Sequence, residues 1–577
     1  MIAGDVAAAL PPNIELARTF DLLADLLQLD GADGFRLNAY RTAAQRIRDS
    51  ATSVAALALE GKAKRLDGIG KTIEAKIVER VETGQISALS KLEGTIPVGL
   101  VDVMHVPGLG PKIARRLWDE LGIEDLAGLR AAAEGGRISS LQGLGEKSEQ
   151  RILEALARPR VDLDTDRVLL GRALPLVEAL VAYVSGHPAA ARVSDAGSAR
   201  RRSETLKDVD LIVTSDDPAA LLEHFVAFPS AAKVTAHGET KATLVSQDGI
   251  SADLRVVPPG CYGNLLQHFT GSKAHNVALR EEAVRQGLSV SEWGIETAEG
   301  STLTMDSEEA VYEALGYAWI PPELRESTGE LEAARHGSLP ELVESVRGDL
   351  HMHTTWSDGK ASVEEMALEA KARGLDYIAI CDHARRLRDG RLAGQLVEIG
   401  EANEKISGVQ VLSGAEVDIR ANGSLDMPDD VLEGRDWVVA SIHSGFQNSR
   451  DKLTARILAA IQHPFVDCIG HLTGRKLRRR APYDLDLDEI FAAAAETGTA
   501  LEINGQPDRL DLRDVHARAA AGAGVTIVCN SDAHSTQALA YSDFAVMQAR
   551  RAWLTSDDVL NTTSWRDVDR RRKRGRS

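Results

Sequence analysis

The chain has 577 residues, which is too long for one hydrophobic core and predicts about four domains at roughly 150 residues each. Its hydrophobic content of 44% and charged content of 27% are ordinary for globular protein, and no apolar run is long enough to span a bilayer. The net charge of -19 argues against a protein that coats nucleic acid by bulk electrostatics, although local basic patches or backbone amides could still bind DNA.

The first 150 residues are predicted to be helical and carry a repeated glycine turn. Helices are predicted over 14–27, 35–48 and 71–81. Turns with an apolar residue between two glycines, each opening a helix with a lysine nearby, occur at 66–71, 106–112 and 141–147. Such helix-hairpin-helix turns offer free backbone amides to a phosphate. One copy is weak evidence because similar turns cap many ordinary helices, but three copies favour sequence-independent binding of a DNA backbone.

The segment from about 160 to 320 alternates helix and strand and contains an unusual group of acids. Asp208 and Asp210 open an apolar strand on one face, where they can share divalent metal ions. Asp253, on a second predicted strand, is the candidate third carboxylate. With the preceding Gly-Ser turn and arginines, these acids predict a site for two metals and a polyphosphate, and hence in-line phosphoryl transfer. The alternative is that the first two acids merely cap a strand among solvated charges.

A second informative stretch follows the third acid, from His268 to Arg280. An aromatic residue lies beside a Thr-Gly-Ser turn, and Asn276 and Arg280 follow on one predicted helix. The stretch could form the side of a nucleotide pocket. Taken alone, it could equally be a helix start with a solvated arginine.

The order of these motifs resembles the X family of DNA polymerases, the polymerase beta-like repair enzymes, over roughly residues 10–320. The resemblance implies that the metal-binding and catalytic palm carboxylates, which would hold Mg or Mn, are Asp208, Asp210 and Asp253. The implied nucleotide-binding residues are Ser198 and Arg201 for the triphosphate, Phe269 and Gly271 for the sugar, and Asn276 and Arg280 for the base and template side. The implied DNA-binding residues are Arg36, Tyr40, Gly68, Gly70, Gly108, Gly110 and Lys112. Lys76 falls where lyase members of the family carry a catalytic Schiff-base lysine, and without the resemblance it would be read as a solvated helix lysine.

Four residues depart from the family pattern. Lys207 and Arg202 stand where glycines are usual, His268 replaces a tyrosine, and Ala199 replaces an aromatic residue. Long side chains near the triphosphate site would crowd or re-charge it. These departures predict a polymerase that is competent but slow or restricted in its choice of metal.

Beyond residue 349, seven short β-rich segments alternate with alanine-rich helical stretches. This pattern predicts a parallel β/α barrel with its active site at the carboxyl ends of the strands. Nitrogen and oxygen donors lie at or just beyond those ends, namely His351, His353, Asp358, His383, Glu416, His443, His471, Asp532 and His534. Any one of these histidines would more often be an ordinary surface residue, but their clustering favours two or three Zn, Mn or Fe ions. Such a cluster generates hydroxide near neutral pH, so phosphoester hydrolysis is the expected chemistry.

The motifs at 351–359, 382–383 and 531–534 resemble the polymerase and histidinol phosphatase (PHP) domain. In bacterial X-family polymerases that carry this domain, the resemblance implies a manganese-stimulated 3′–5′ exonuclease. It also implies that Glu416 bridges metal ions. We further expect Arg475 to hold a phosphate.

The expected fold is therefore a multidomain α/β protein. Its expected parts are a helical lyase-like DNA-binding domain (1–88), a helix-hairpin-helix subdomain (89–158), a polymerase beta-like nucleotidyltransferase palm (159–260), a nucleotide/template-binding subdomain (261–325), a linker (326–348), a (β/α)7 PHP barrel (349–560) and a basic tail (561–577).

The expected function is a DNA-directed DNA polymerase that fills short gaps in repair and also trims or cleans 3′ ends through its PHP domain. One alternative is a DNA-end-binding repair scaffold with a weakened polymerase site and an active PHP phosphoesterase, and another is an enzyme acting on free nucleotides or phosphate monoesters. The expected partners are gapped or primer-template DNA and deoxynucleotide triphosphates, with no membrane and a monomeric state. Four cysteines without CxxC spacing fit a reducing cytoplasm.

Overall fold

A computed structural model describes residues 10–11, 13–49, 53–66, 68–106, 109–141, 143–157, 167–388 and 390–573. The chain divides into two compact units, one within 1–164 and the other within 165–577. Among the described residues, no helix combines the length and the apolar character that a membrane span requires.

The first unit is helical. Its described helices are α1 (Asn13–Leu29), α2 (Gly34–Asp49), α3 (Val54–Leu59), α4 (Lys71–Thr83), α5 (Ser87–Glu93), α6 (Gly99–Met104), α7 (Pro111–Leu121), α8 (Leu126–Glu134) and α9 (Glu146–Ala157). On α1, Leu16, Phe20, Leu23 and Leu27 recur at helical spacing and are all buried. They belong to one core that continues through α8 and α9. The three helices predicted in this region are confirmed.

The second unit begins with a five-stranded mixed sheet and a separate pair of short strands. The seven strands are β1 (Val168–Leu169), β2 (Arg192–Asp195), β3 (Thr205–Leu206), β4 (Val209–Thr214), β5 (Ala231–His237), β6 (Lys241–Ser246) and β7 (Ser251–Val257), and the helices are α10 (Leu170–Ser185), α11 (Gly197–Arg200) and α12 (Pro218–Val226). The sheet order is β2-β4-β7-β6-β5, and β1 pairs separately with β3. Only β4 and β7 run parallel in the five-stranded sheet, so their first residues meet at one edge.

A helical region with a small sheet follows. It comprises α13 (Tyr262–Thr270), α14 (Lys273–Arg285), β8 (Ser289–Ser291), β9 (Gly294–Glu296), β10 (Thr302–Leu303), α15 (Glu308–Ala314) and α16 (Glu330–His336). The stretch 326–348, predicted to be a linker, is instead packed into the fold. Ala334 and Leu342 belong to the core of this region, and buried Glu330 accepts a hydrogen bond from His275 at 2.7 Å. The apolar residues spaced among its charges explain the difference, because they anchor the segment.

The remaining strands form a seven-stranded parallel sheet in sequential order, which confirms the predicted barrel. They are β11 (Gly348–Met352), β12 (Tyr377–Ile380), β13 (Gln410–Asp418), β14 (Trp437–Ser441), β15 (Cys468–Ile469), β16 (Ala500–Asn504) and β17 (Ile527–Asn530). The helices are α17 (Val363–Ala372), α18 (Arg391–Lys405), α19 (Asp429–Glu433), α20 (Arg450–Gln462), α21 (Leu487–Thr497), α22 (Asp514–Gly522), α23 (Tyr541–Arg551) and α24 (Trp565–Arg571). Met352 bridges to Ala533 in parallel fashion, so the first strand meets the end of the last and nearly closes the barrel.

The predicted basic tail is part of the barrel as far as it is described. On α24, Val568 is buried in the barrel core and the ring of Trp565 lies 5.8 Å from that of Tyr377. Arg572 Nη1 donates to the carbonyl of Asp436 at 2.8 Å. The many arginines of this segment made its apolar face hard to recognise in the sequence. Residues 574–577 lie outside the described part of the chain.

Candidate metal centres

Three carboxylates converge at one edge of the five-stranded sheet. Asp210 on β4 lies directly opposite Asp253 on β7 in the parallel register, and Asp208 immediately precedes β4. Thr243 Oγ1 donates to Asp253 Oδ1 at 2.6 Å, and Lys241 Nζ lies 2.5 Å from Asp253 Oδ2. Burial raises the pKa of Asp210 to about 6, and the negative charges of Asp208 and Asp253 add to the effect. Carboxylates that repel one another in this way suit divalent cations.

The Gly-Ser turn lies directly against this cluster. Gly197 has a φ of +59°, and a Cβ at this position would lie only 2.1 Å from Asp210 Oδ2. The amide of Ala196 donates to the carbonyl of Asp210 at 2.8 Å. Only glycine permits this approach, and the partly buried Ser198 follows it at the start of α11.

The arginines after the turn are ordered by protein contacts. Arg201 Nη1 donates to the carbonyl of Thr270 at 2.6 Å, and its Nε donates to Glu326 Oε1 at 3.1 Å. A Cβ on Gly271 would lie 3.3 Å from Arg201 Nη1, so these two predicted nucleotide-binding residues are neighbours. Arg202 turns towards Asp195 with an Nη1–Oδ2 distance of 3.1 Å. Lys207, expected to crowd the triphosphate site, has an exposed side chain.

The remaining nucleotide-binding candidates gather at the end of α13. Asn276 Nδ2 donates to the carbonyl of His268 at 2.7 Å. Burial lowers the pKa of His268, and Arg280 Nη2 lies 3.0 Å from its Nδ1. Arg255 was not predicted, although strand alternation places it on the same partly exposed face of β7 as Asp253. Its guanidinium carbon lies 4.4 Å from the centre of the Phe269 ring.

The three glycine turns of the helical unit share one backbone hydrogen bond among their described residues. In each, the amide of the residue between the glycines donates to a carbonyl three residues earlier, for Ile69 at 3.0 Å, Leu109 at 2.8 Å and Leu144 at 3.0 Å. These three side chains are buried, whereas Gly70, Gly110 and Gly145 are exposed immediately before their helices. Gly68 has a φ of +80°, and Lys112 is exposed on the first turn of α7. Gly108 lies outside the described residues.

The predicted lyase residues differ in their exposure. Arg36 is exposed near the start of α2, and Lys76 is partly exposed on α4. Tyr40 is buried, and its ring lies 6.2 Å from that of Phe20 in the core. Phe35, beside Arg36, is exposed despite its apolar ring, with 88% of its surface accessible.

In the barrel, five imidazoles surround one buried carboxylate, that of Glu416 on β13. Oε1 is approached by nitrogens of His471 at 3.1 Å, His443 at 3.2 Å and His351 at 3.6 Å, and Oε2 by nitrogens of His383 at 2.9 Å and His353 at 3.7 Å. Burial alone would raise the pKa of Glu416, but His443 and His351 lower it well below its usual range. An ionised carboxylate at the centre of these nitrogens suits a bridging metal ligand.

Asp358 and Asp532 extend the cluster on the side of His353. Asp358 lies 3.4 Å from His383 and 3.6 Å from His534, and Asp532 Oδ1 lies 3.2 Å from His353. Hydrogen bonds from His383 and His534 lower the pKa of Asp358. His471 and Asp532 have positive φ angles of 29° and 52°, which are strained for these residue types. The structure therefore brings all nine predicted ligands together.

One buried nitrogen tests directly whether this cluster fits a metal. His351 Nε2 is buried and has no hydrogen-bond partner in the described part of the chain. The other ring nitrogen, Nδ1, lies 2.7 Å from Glu502 Oε1. A histidine held by a carboxylate through one nitrogen and without a hydrogen bond at the other has the arrangement of a metal ligand. Groups of side chains that could hold an ion include His353, Asp358, His383 and His534 together, and His383, Glu416 and His443 together.

Further carboxylates that were not predicted from the sequence orient the predicted metal ligands. Besides His351, Glu502 accepts the backbone amide of His471 at 2.8 Å. Asp418 Oδ1 lies 2.5 Å from His443 Nδ1. Asp382 accepts from Thr354 Oγ1 at 2.6 Å and so holds the loop that carries Asp358. The only sequence signal for Glu502 was a charge inside an otherwise apolar strand.

The structure gives Arg475 a different role from the predicted phosphate ligand. Its buried guanidinium contacts Glu204 Oε2 at 3.3 Å and bonds the carbonyl of Leu510. Gln548 Nε2 also donates to Glu204, at 2.9 Å. Arg475 therefore fixes the barrel against the segment between α11 and β3.

Comparison with known families gives matches along most of the chain. Residues 11–86 match a helix-hairpin-helix domain, 100–158 a SAM-like helix-hairpin-helix tandem, 265–326 the DNA polymerase beta thumb and 349–506 the PHP domain.

Similar whole proteins fall into two groups. The "DNA polymerase/3′-5′ exonuclease PolX" of Bacillus subtilis is 38% identical over 566 residues, which cover 96% of this chain and 98% of that protein. A probable phosphatase of Thermoanaerobacter sp. is 34% identical over 226 residues, covering 37% of this chain and 89% of that protein. A probable phosphatase of Acetivibrio thermocellus is 28% identical over 224 residues, covering 37% and 90%.

Proposed function

The chain belongs to the X-family DNA polymerases that carry a PHP domain and is a DNA polymerase with 3′–5′ exonuclease activity; we propose that the two reactions occur at the two centres described above. Synthesis is assigned to Asp208, Asp210 and Asp253, and hydrolysis to the cluster around Glu416. The observation that carries the first assignment is the register of Asp210 with Asp253. The second rests on the five imidazoles that approach one ionised carboxylate.

In the palm, the three aspartates would hold Mg or Mn, which supplies charge neutralisation for the triphosphate and activates the primer 3′-hydroxyl. Ser198 and Arg201 bind the triphosphate, and Gly271 lets the chain approach the sugar beside Phe269. Asn276 and Arg280 face the base and the template. Their hydrogen bonds to His268 set the orientation of this corner before nucleotide binds.

In the barrel, the nine ligands would hold two or three Zn, Mn or Fe ions, which supply hydroxide near neutral pH and neutralise the scissile phosphate. Glu502 and Asp418 hold the imidazoles of His351 and His443 in fixed orientations through their Nδ1 atoms. Deep burial of Glu416 keeps bulk water from screening the charges of the site. The products are a released 3′ nucleotide and a shortened strand.

The DNA substrate is proposed to be gapped or primer-template DNA, gripped through its backbone. The exposed turns at Gly70 and Gly110, with Lys112 beside the second, support sequence-independent phosphate binding. Arg36 and Lys76 are proposed to face the 5′ side of a gap. Four free cysteines support a reducing, cytoplasmic location.

Two substitutions in the full chain test these assignments on a labelled gapped substrate. Asp210→Asn should abolish nucleotide incorporation while degradation in the absence of nucleotide continues. His353→Ala should abolish degradation while incorporation continues. Incorporation that survives Asp210→Asn would refute the palm assignment, and degradation that survives His353→Ala would refute the barrel assignment.

A further inference from the structure

One arginine of the barrel reaches into the polymerase half of the second unit. Arg551, at the end of α23, donates from Nη1 to the carbonyl of Arg201 at 2.8 Å and to Glu326 Oε1 at 3.1 Å. Asp514 on α22 holds the same guanidinium, with its Oδ2 at 2.8 Å from Nη2 and 3.0 Å from Nε. The side chain is 9% exposed, so the surrounding protein fixes its geometry.

Glu326 is shared between two arginines. Its Oε1 accepts from Arg551 Nη1 and also from Arg201 Nε, each at 3.1 Å. Arg551 therefore contacts Arg201 twice, directly at its carbonyl and indirectly through the carboxylate that binds its side chain. The far end of Arg201 is fixed by the Thr270 carbonyl, next to Gly271.

These contacts leave one guanidinium nitrogen of Arg201, Nη2, available for a ligand. Nε and Nη1 are bound by protein, whereas Nη2 has no hydrogen-bond partner within the described residues. A guanidinium has five donors in a rigid plane, so holding two of its nitrogens fixes the direction of the third. An arginine held in this way loses less conformational freedom when it binds a phosphate than a mobile one.

We propose that Arg551 is a positioning residue of the polymerase site, through which the barrel orients Arg201 for the triphosphate of the incoming nucleotide. The inference rests on the proposed role of Arg201 in nucleotide binding. Removal of Arg551 frees the side chain of Glu326 and relaxes Arg201. The affinity for nucleotide should then fall by about 5- to 10-fold, the cost of ordering one long side chain on binding.

The chain offers a matched control in the adjacent residue. Arg550 Nε forms an ion pair with Glu323 Oε1 at 2.7 Å, and its Nη1 donates to the carbonyl of Val343 at 3.1 Å. It therefore joins the same helix to the same neighbouring region by the same kind of contact. Its bonds do not involve Arg201, so its loss weakens the junction without relaxing that side chain.

The test compares Arg551→Gln with Arg550→Gln in single-nucleotide incorporation on gapped DNA. Arg551→Gln should raise the KM for deoxynucleotide triphosphate by about 5- to 10-fold with kcat within about 2-fold, and Arg550→Gln should leave KM unchanged. Exonuclease rates on the same DNA report folding. An equal change of KM in both variants, or a fall in kcat alone, would show that Arg551 merely holds the domains together.

Two further variants, Glu326→Gln and Arg201→Ala, test the proposal if Arg551→Gln does not fold and separate it from the proposed role of Arg201. If Arg551→Gln fails to fold, Glu326→Gln should raise KM in the same way, and an unchanged KM would overturn the proposal. Arg201→Ala separates this inference from the proposed function. An unchanged KM in Arg201→Ala refutes the role of Arg201 itself, whereas a raised KM there with a normal KM in Arg551→Gln refutes only the positioning role.

Discussion

Replacing Glu502 with glutamine is expected to weaken the barrel exonuclease while DNA synthesis continues. Four donors converge on this carboxylate: His351 Nδ1 at 2.7 Å and Asn530 Nδ2 at 3.0 Å on Oε1, and the His471 amide at 2.8 Å and Asn504 Nδ2 at 3.1 Å on Oε2. Glutamine offers one oxygen and one amino group, so two of these donors would face another donor. Each such loss costs about 1.5–3 kcal/mol when the lost acceptor is charged.

The measurable consequence is a weaker metal site, since His351 and His471 are proposed ligands. Losing a carboxylate that orients ligands typically costs about 10–100-fold in metal affinity or activity. Manganese titration of the degradation of labelled DNA should show a half-saturating concentration raised by that factor, while primer extension changes by less than about 2-fold. Glu404→Gln, at an exposed position on α18, is the control and should leave both unchanged. An unchanged metal requirement in Glu502→Gln would refute the assigned role.

Three other substitutions give separate tests. Gly197→Ala would place a Cβ 2.1 Å from Asp210 Oδ2, so incorporation should fall by about 100-fold while exonuclease activity is kept. Burial alone would raise the pKa of Glu308, but Arg325 and Arg200 together outweigh it and lower the pKa from 4.5 to about 2. The ionised form therefore adds about 3 kcal/mol of stability above pH 4.5 that is lost as the pH falls towards 2. Glu308→Gln should abolish this part of the pH dependence in urea unfolding. Lys76→Ala should abolish borohydride trapping of the protein on DNA with a 5′ abasic sugar, because a Schiff base requires the amine.

For each of these three substitutions, one result would contradict the prediction. Normal incorporation by Gly197→Ala would mean that Asp210 can move without consequence. An unfolding free energy that falls equally with acid in wild type and Glu308→Gln would exclude Glu308 as its source. Undiminished trapping in Lys76→Ala would assign the Schiff base to another amine.

Most of the proposed barrel ligands could be predicted because they lie near or just beyond the end of a short apolar strand. Parallel strands bring their carboxyl ends to one face, so residues as distant in sequence as His351 and His534 had to meet. Glu502 could not be assigned in the same way. Glu502 lies two residues before the end of β16, as Glu416 does in β13, and only the register with β17 and the position of β11 show that Glu502 faces His351 and Asn530.

In the palm, too, sequence patterns predict local geometry but not the contacts between distant segments. Strand alternation predicted that Asp208 and Asp210 share a face, but the parallel pairing that sets Asp253 opposite Asp210 is a tertiary fact. The partners of Arg201 are more distant still, since Glu326 lies 125 residues away and Arg551 lies 350 residues away. No local pattern signals a contact over such separations.

The central claim, that one chain carries two separate metal centres, is tested most directly by anomalous diffraction from crystals of the full chain soaked in manganese. We expect one group of peaks within about 2.5 Å of the Glu416 carboxylate and its surrounding imidazoles, and a second beside Asp210 and Asp253. The Asp210→Asn variant should lose peaks only at the second position. Absence of any peak at Glu416 would contradict the presence of two metal centres. A single group of peaks that lies near neither set of residues would contradict it as well.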